Sequence, residues 1–317
     1  MGTTTAERVS LANTDTRYDD MHRTIEAWIE ELTELVDEAQ ASKEFQTWLD
    51  VQSRFHDYSY RNTLLIRQQC PEATQVAGYQ TWQEEFDRHV QEGEQAIWIW
   101  APIITKRCPE CEDSPSYHDK SDCEYDETPP EEWSKGLVGF KPAPVFDVSQ
   151  TDGEPLPELN TAATGNAEEL VPALLDAAND FDLDVRIVDS NDWDHGKARG
   201  VCSSRNPMST RPLVEVKDRS NKAYLARTLI HEYAHAHLHF DVDEPEERAK
   251  RELEAEAVAY IVGRYFGLDT SNSAFYLAAW KGDGSGGVKD RLTRISEVSA
   301  KFIETGEHLI ETLDGIE

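Results

Sequence analysis

The 317-residue sequence predicts an α+β chain of two domains. Three observations carry that expectation. Long stretches place apolar residues at helical spacing with acids between them. Shorter stretches rich in β-branched and aromatic residues alternate as strands do. A segment bearing glycine and prolines, VFDVSQTDGEPLPEL at 145–159, separates two runs of such elements. The length suits two domains of ordinary size, and a hydrophobic share of 38% permits packed cores.

From the N-terminus, residues 1–20 are expected to be disordered. Over 21–50, Ile25, Trp28, Ile29, Leu32, Leu35 and Val36 recur at helical spacing. Residues 59–69 read as a further helical segment, stopped by Pro71. AIWIWAPII (96–104) reads as a strand behind a turn at EGEQ. The first domain is therefore placed at 21–145, with an acidic Cys/His-bearing insert at 106–134, and a linker follows at 146–165. The second domain, 166–310, opens with a helix at 166–179 and a strand at 184–190. Two short strands follow, around 198–203 and 212–217. Helices are expected at 221–239, at 246–266 (closed by Gly267) and at 288–306. The sequence has no run of eighteen apolar residues, so a membrane partner is not expected. The N-terminus lacks a charged-then-apolar signal pattern, and a cytoplasmic location is expected.

Sixty-two acidic residues face thirty-one basic ones, a net charge of −31. Such a chain repels itself in dilute salt. In concentrated salt the Debye length falls to about 3 Å and the repulsion is screened. The acids are spread over both halves rather than gathered in a tail. This composition predicts adaptation to a very salty cytoplasm, as in a halophilic archaeon.

The stretch TLIHEYAHAHLH (228–239) contains H-E-x-x-H as His231-Glu232-Tyr233-Ala234-His235. One helical turn separates the two histidines, so their imidazoles point the same way, a spacing that suits Zn²⁺. Glu232 is offset by about 100° around the helix, beside the metal rather than on it. There it could serve as a base towards a metal-activated water. Leu225, Leu229, Ile230 and Ala234 give this helix a core face. The next helix, RELEAEAVAYIVGRYFG, offers Glu252, Glu254 and Glu256 as a third ligand. Glu256 adjoins the apolar stripe Val258, Ala259, Ile261 and Val262 and is the expected ligand. Glu252, on the same face, is the alternate or a supporting partner. His237 and His239 are read as bystanders, because no glutamate follows His235 as Glu232 follows His231. His195, in a loop, and Tyr276 are weaker candidates for a donor to a developing oxyanion.

Five cysteines occur, and three lie close together. Cys108-Pro-Glu-Cys111 is a C-x-x-C knuckle, followed by His118 and Cys123. Four soft ligands within sixteen residues predict a closed Cys₃His zinc site, structural in role. An insert this short cannot bury a core of its own, so a metal staple is physically reasonable. Cys70 and Cys202 are read as free thiols. Residues 48–100 interleave aromatics with arginines, and residues 51–108 are nearly neutral, with six basic and seven acidic side chains. Single-stranded nucleic acid requires stacking on aromatics and cationic contacts to phosphates, and core packing is the competing use of those aromatics.

The stretches YSYRNTLLIRQQCP, VAGYQTWQ and RHVQEGEQAIWIWAP resemble the N-terminal single-stranded-DNA-binding domain of the ArdC antirestriction family. The turn there reads Gly93-Glu94-Gln95, where that family has a lysine. TLIHEYAHAHLH with ELEAEAVAY resembles the zincin-like metallopeptidase domain of the same group, related to the ImmA/IrrE metallopeptidases. The resemblance implies single-stranded DNA as a partner, with Arg61, Asn62, Tyr79, Trp82 and Trp98 as the contacting residues. It also implies a zinc ion at His231, His235 and Glu256 (alternate Glu252) with Glu232 as catalytic base, whereas the second zinc, at Cys108, Cys111, His118 and Cys123, is expected from the spacing alone, the insert being extra to that family. The peptide or protein substrate is left open. Two rival readings remain at this point. One is a non-enzymatic DNA-protecting protein whose H-E-x-x-H zinc is structural, and the other is a regulatory peptidase that cleaves a transcription factor.

Overall fold

The computed structural model describes residues 9–35, 39–156, 167–203, 209–240, 247–270, 273, 275 and 277–314. Among these, no helix is long and apolar enough to cross a membrane. The chain forms two compact units, Met1–Thr24 with Leu65–Glu154, and Ile25–Leu64 with Pro155–Glu317. Val36, Tyr276 and residues 157–165 of the expected linker lie outside the described residues.

The helical stretch expected at 21–50 is two helices, α1 (Arg17–Glu34) and α2 (Ala39–Arg54), followed by α3 (Tyr60–Gln69). The stripe Ile25, Trp28, Ile29 and Leu32 on α1 is buried. The first unit then holds β1 (Val76–Ala77), the short α4 (Tyr79–Glu84), β2 (Arg88–Val90) and β3 (Ile97–Lys106). After the single turn α5 (Pro115–His118) come β4 (Lys135–Asp147) and β5 (Thr151–Gly153). β4 lies between β1 and β3 in an antiparallel sheet, and β2 pairs with β5. Ile97, Ile99 and Val145 share one buried face. The opposite face carries Trp98, Trp100, Pro102 and Ile104 across from Pro144, Pro142, Phe140 and Leu137.

Disorder over 1–20 does not hold for residues 9–20. The Val9 N–H donates to the Gln68 carbonyl at 3.0 Å. Leu11 is buried, and the Arg17 guanidinium lies 3.4 Å over the Trp98 ring. A cation on an aromatic face plus a buried leucine fixes the segment.

Asp147 closes β4 and is 2% exposed. Its Oδ1 accepts from the Thr74 and Gln75 N–H groups at 2.7 and 3.1 Å. Its Oδ2 accepts from the Ser149 N–H and hydroxyl at 3.0 and 2.6 Å. Burial pushes this carboxyl up, but the four donors outweigh it and hold it below the ordinary carboxylate value. A depressed folded-state pKa stabilises the fold above the unfolded value, and that stability is lost as pH falls through the folded one. Asp147→Asn is therefore expected to cost about 1–3 kcal/mol at pH 7, with a smaller deficit below pH ~4. Urea melts at both pH values check this, and equal deficits would contradict it.

The second unit contains α6 (Ala167–Asp180), β6 (Asp184–Val188), β7 (Gly200–Ser203), β8 (Leu213–Lys217), α7 (Lys222–His239), α8 (Arg248–Tyr265) and α9 (Gly284–Asp314). Its sheet runs β6-β8-β7, parallel between β6 and β8 and antiparallel between β8 and β7, so β7 is an edge. Val214 and Val216 of β8 are fully buried, with Leu225, Leu229, Ile230, Val258, Ala259, Ile261 and Val262 of α7 and α8. The domain boundary expected at 21–145 differs from this partition, because α2 belongs to the second unit's core. Phe45 meets Phe275 and Trp280 edge to face, and Tyr260 donates to Asp50 at 2.7 Å.

Candidate metal centres

Helix α7 starts at Asn221, whose side chain accepts from the Tyr224 N–H at 3.2 Å and caps it. Its buried side includes Leu225, Leu229, Ile230, Tyr233 and Ala234, and the Tyr233 hydroxyl donates to the Leu174 carbonyl of α6 at 2.7 Å. With that face fixed, His231 and His235 emerge side by side, their Nε2 atoms 3.1 Å apart.

Glu252 of α8 completes a group whose ligand atoms all lie within 4.8 Å. Its Oε2 stands 3.5 Å from His231 Nε2 and 3.7 Å from His235 Nε2. The facing imidazoles, His231 first and then His235, hold Glu252 well below the usual carboxylate range. Glu256, the expected third ligand, stands elsewhere. It is paired with Arg227 and lies 3.6 Å from the other nitrogen of His231, Nδ1. Arg227 also donates to Ser273 Oγ at 2.9 Å. The guanidinium thus holds Glu256 behind the ring of His231, while Glu252, one turn earlier, meets both Nε2 atoms.

Glu232 is 7% exposed. Burial pushes its carboxyl up to about 7, against the attraction of His231 and with repulsion from Glu252. The Cys202 N–H of β7 donates to it. Two residues earlier, a Cβ on Gly200 would stand 2.7 Å from Glu232 Cγ and Oε1. Only glycine lets the edge strand pass this close. Burial and then Glu232 push the Cys202 thiol up to about 12, so it is a protonated thiol at neutral pH.

The remaining histidines divide. His237 sits edge-on between Phe181 and Phe302. Burial, with a contribution from Lys301, lowers its pKa to about 4, so it packs as a neutral ring. His239 is no bystander. Its Nδ1 is 3.3 Å from His235 Nδ1, and its Nε2 is 3.3 Å from Glu254 Oε2. A four-residue helical step onto His235 is the sequence signal for this contact. His195 Nε2 contacts Glu215 at 3.1 Å. Glu215 alternates with the buried Val214 and Val216 along β8, whereas Gly200 and Cys202 pair with those valines. His195 therefore lies on the sheet face away from Glu232.

The second group is Cys108, Cys111, His118 and Cys123, again within 4.8 Å. Cys108 Sγ is 4.0 Å from Cys123 Sγ, and Cys111 Sγ is 3.5 Å from His118 Nδ1. The Cys108 N–H donates to the Asp113 carbonyl at 2.8 Å, and the Glu112 N–H returns to Cys108 at 3.1 Å. Trp133, 2% exposed, packs edge-on against His118 with ring centres 5.1 Å apart. Its indole N–H donates to Thr128 at 2.9 Å, and Lys106 donates to its carbonyl at 2.6 Å.

The residues expected to contact nucleic acid are not gathered into one described surface. Trp82 is 2% exposed and donates to the Phe146 carbonyl at 2.9 Å, and Asn62 is buried. Both are core residues, since each sits on the inward side of its helix. Arg61 is half-buried and, like Asn62, belongs to the second unit. Tyr79 is exposed. Trp98 is half-buried beneath Arg17. Beside Trp98 on the same sheet face, Trp100 meets Tyr18 and His22 with ring centres at 4.9 and 4.7 Å. Sequence reasoning misses Arg17 and Tyr18 because it assigns 1–20 to a disordered segment, and it passes over His22 because only the apolar positions of the 21–50 stretch are followed there.

Fold and sites together define an α+β chain with two clusters of metal-ligating side chains. Residues 15–146 match the family described as the N-terminal domain of anti-restriction factor ArdC. Over 284 residues the chain is 26% identical to an uncharacterized Bacillus anthracis protein, pXO2-81, covering 82% of this chain and 47% of that protein. The chain thus spans about half the length of that curated relative. Two crystal structures of the antirestriction ArdC protein from the R388 plasmid are also similar. The metal-free one has a TM-score of 0.47 at 16% identity, covering 90% of this chain and 98% of that one. The Mn(II)-bound one has a TM-score of 0.47 at 17% identity, covering 89% and 97%.

Proposed function

We propose that the chain is a single-stranded-DNA-binding antirestriction protein with a zinc-dependent, peptidase-type centre, working in a salty cytoplasm. The observation that carries the enzymatic part is the convergence of His231, His235 and Glu252 beside a buried Glu232. The separations fit zinc. Tetrahedral bonds of about 2.0–2.1 Å to nitrogen and oxygen give ligand–ligand edges of about 3.4 Å. The three edges here are 3.1, 3.5 and 3.7 Å. Bonds of about 2.3 Å to sulfur give edges of about 3.8 Å, near the 4.0 Å between Cys108 and Cys123. With four protein ligands that second ion would be structural, whereas three ligands leave a position open.

His231, His235 and Glu252 would hold the first ion, with Glu256 and Arg227 behind His231. Zinc, when bound, supplies Lewis acidity that activates water and polarises a carbonyl. Glu232 has the proton affinity of a general base near neutrality, with its carboxyl at about 7. The Cys202 N–H orients the carboxylate, which would take a proton from the attacking water and return it to the leaving amine.

The DNA-binding part rests on the family match over 15–146. The ridge of Arg17, Tyr18, His22 and Trp98, with the buried Trp100 packed against Tyr18 and His22, offers aromatic faces beside a guanidinium. At high salt the phosphate contacts weaken, so stacking would carry more of the affinity. Tyr18→Ala with Trp98→Ala is expected to weaken binding of a single-stranded oligonucleotide by about 1–3 kcal/mol per stacked base. Fluorescence anisotropy in molar KCl measures it. A double variant that binds as tightly as the parent would exclude this surface as the DNA-binding face.

A further inference from the structure

We propose that His239, backed by Glu254, is a positioning residue that fixes which ring nitrogen of His235 faces the metal. This role rests on the metal centre proposed above.

The argument is one of hydrogen-bond inventory. Glu254 is 0% exposed and meets two guanidinium groups, Arg291 and Arg294 at 3.2 Å. A carboxylate held by two cations is ionised and only accepts. The His239 nitrogen facing it, Nε2 at 3.3 Å, must therefore carry the hydrogen. In a neutral imidazole the other nitrogen is then an acceptor. That atom, His239 Nδ1, lies 3.3 Å from His235 Nδ1. Two ring nitrogens in contact share one hydrogen, so His235 Nδ1 is the donor. The lone pair of His235 is left on Nε2, the atom that stands 3.1 Å from His231 Nε2 and 3.7 Å from Glu252 Oε2.

α8 thus addresses His235 from two sides. Glu252 faces Nε2 directly, and Glu254, buried two residues later, faces Nδ1 through the ring of His239. The anchor extends further, since Arg291 also binds Asp283 at 2.6 Å and Glu247 at 3.0 Å, and Lys250 binds Glu247 at 2.8 Å and Asp283 at 2.5 Å. Arg291 itself is 12% exposed. Ligand histidines commonly give their second N–H to a carboxylate or carbonyl, and losing that partner costs about 10–100-fold in metal affinity. Here the partner is a second histidine relaying a buried carboxylate. His237, two residues away, packs between Phe181 and Phe302 rather than against His231 or His235 and serves as the control.

The test uses the full chain and zinc, with affinity read by competition against a chelator. His239→Leu is expected to lose about 10–100-fold in affinity at the site that His231→Ala abolishes. His239→Gln, which can accept from His235 and donate to Glu254, should recover most of it, and His237→Phe should not change it. Nitrogen-15 spectra of the zinc-loaded, unaltered protein should show a hydrogen on His235 Nδ1, and this holds even if His239→Leu does not fold. A hydrogen on His235 Nε2, or a folded His239→Leu with parental affinity, would overturn the positioning role alone. A metal content that does not fall in His231→Ala would overturn the metal centre, and the role with it.

Discussion

Glu232→Gln is expected to lower peptide hydrolysis by about 10²–10⁴-fold, the usual contribution of a general base, while zinc stays bound. The amide keeps the shape of the carboxyl, and its oxygen can still accept the Cys202 N–H. It also fits under Gly200, where the strand leaves no room for a larger side chain. The substitution removes proton affinity and little else. Glu232 is not among the three residues that gather as ligands, so metal content should be unchanged. The matched comparison is single-strand binding by the same variant. Loss of hydrolysis with DNA binding intact would separate the two activities. Unchanged hydrolysis would mean that Glu232 is not the base. If the parent hydrolyses no peptide and protection from restriction survives in Glu232→Gln, the ion at this site is structural.

Cys108→Ser is expected to unfold the insert between β3 and β4. Apparent zinc binding contributes about 10–16 kcal/mol to folding in small zinc modules, far more than this segment's own packing supplies. Cys108 is the buried member of its ligand-type group, and the buried Trp133 packs against His118. Residues 109–134 carry ten acids against one lysine, a composition that repels itself once the ion is gone. The measurement is limited proteolysis with mass detection, parent against variant, in molar KCl. Cleavage confined to 109–132, with loss of one zinc, is the expected result. A variant as resistant as the parent would show that the knuckle holds without metal.

The helices of the second unit are legible in the sequence because their apolar residues recur with the right period, and Asn221 caps α7. The H-E-x-x-H geometry follows from helical spacing alone. The third ligand does not. Glu252 and Glu256 share a face of α8, and choosing between them requires knowing where Arg227 points, which is a tertiary fact. His239 escapes notice in the sequence because it is weighed there as a ligand and not as a partner of a ligand. β4 is hidden by Gly136, Gly139, Pro142 and Pro144, which read as breakers. In the sheet the two prolines alternate, so both missing N–H groups fall on one side of the strand, where β1 pairs only with Phe146 and Asp147. The compact units divide the chain differently from the expected domains for a related reason. Sequence order groups α2 with α3 and the strands of the first unit, but burial of Phe45 and Trp48 groups it with the second. Trp82 and Asn62 show the same limit, since a polar or aromatic residue on a helix looks alike in sequence whether it faces core or solvent.

Metal content of the purified chain, measured beside Cys108→Ser and His231→Ala, tests the central claim most directly. The parent should carry about two zinc ions per chain, one for each ligand group, and each variant should carry about one. A parent with a single ion that disappears in Cys108→Ser and persists in His231→Ala would contradict the claim.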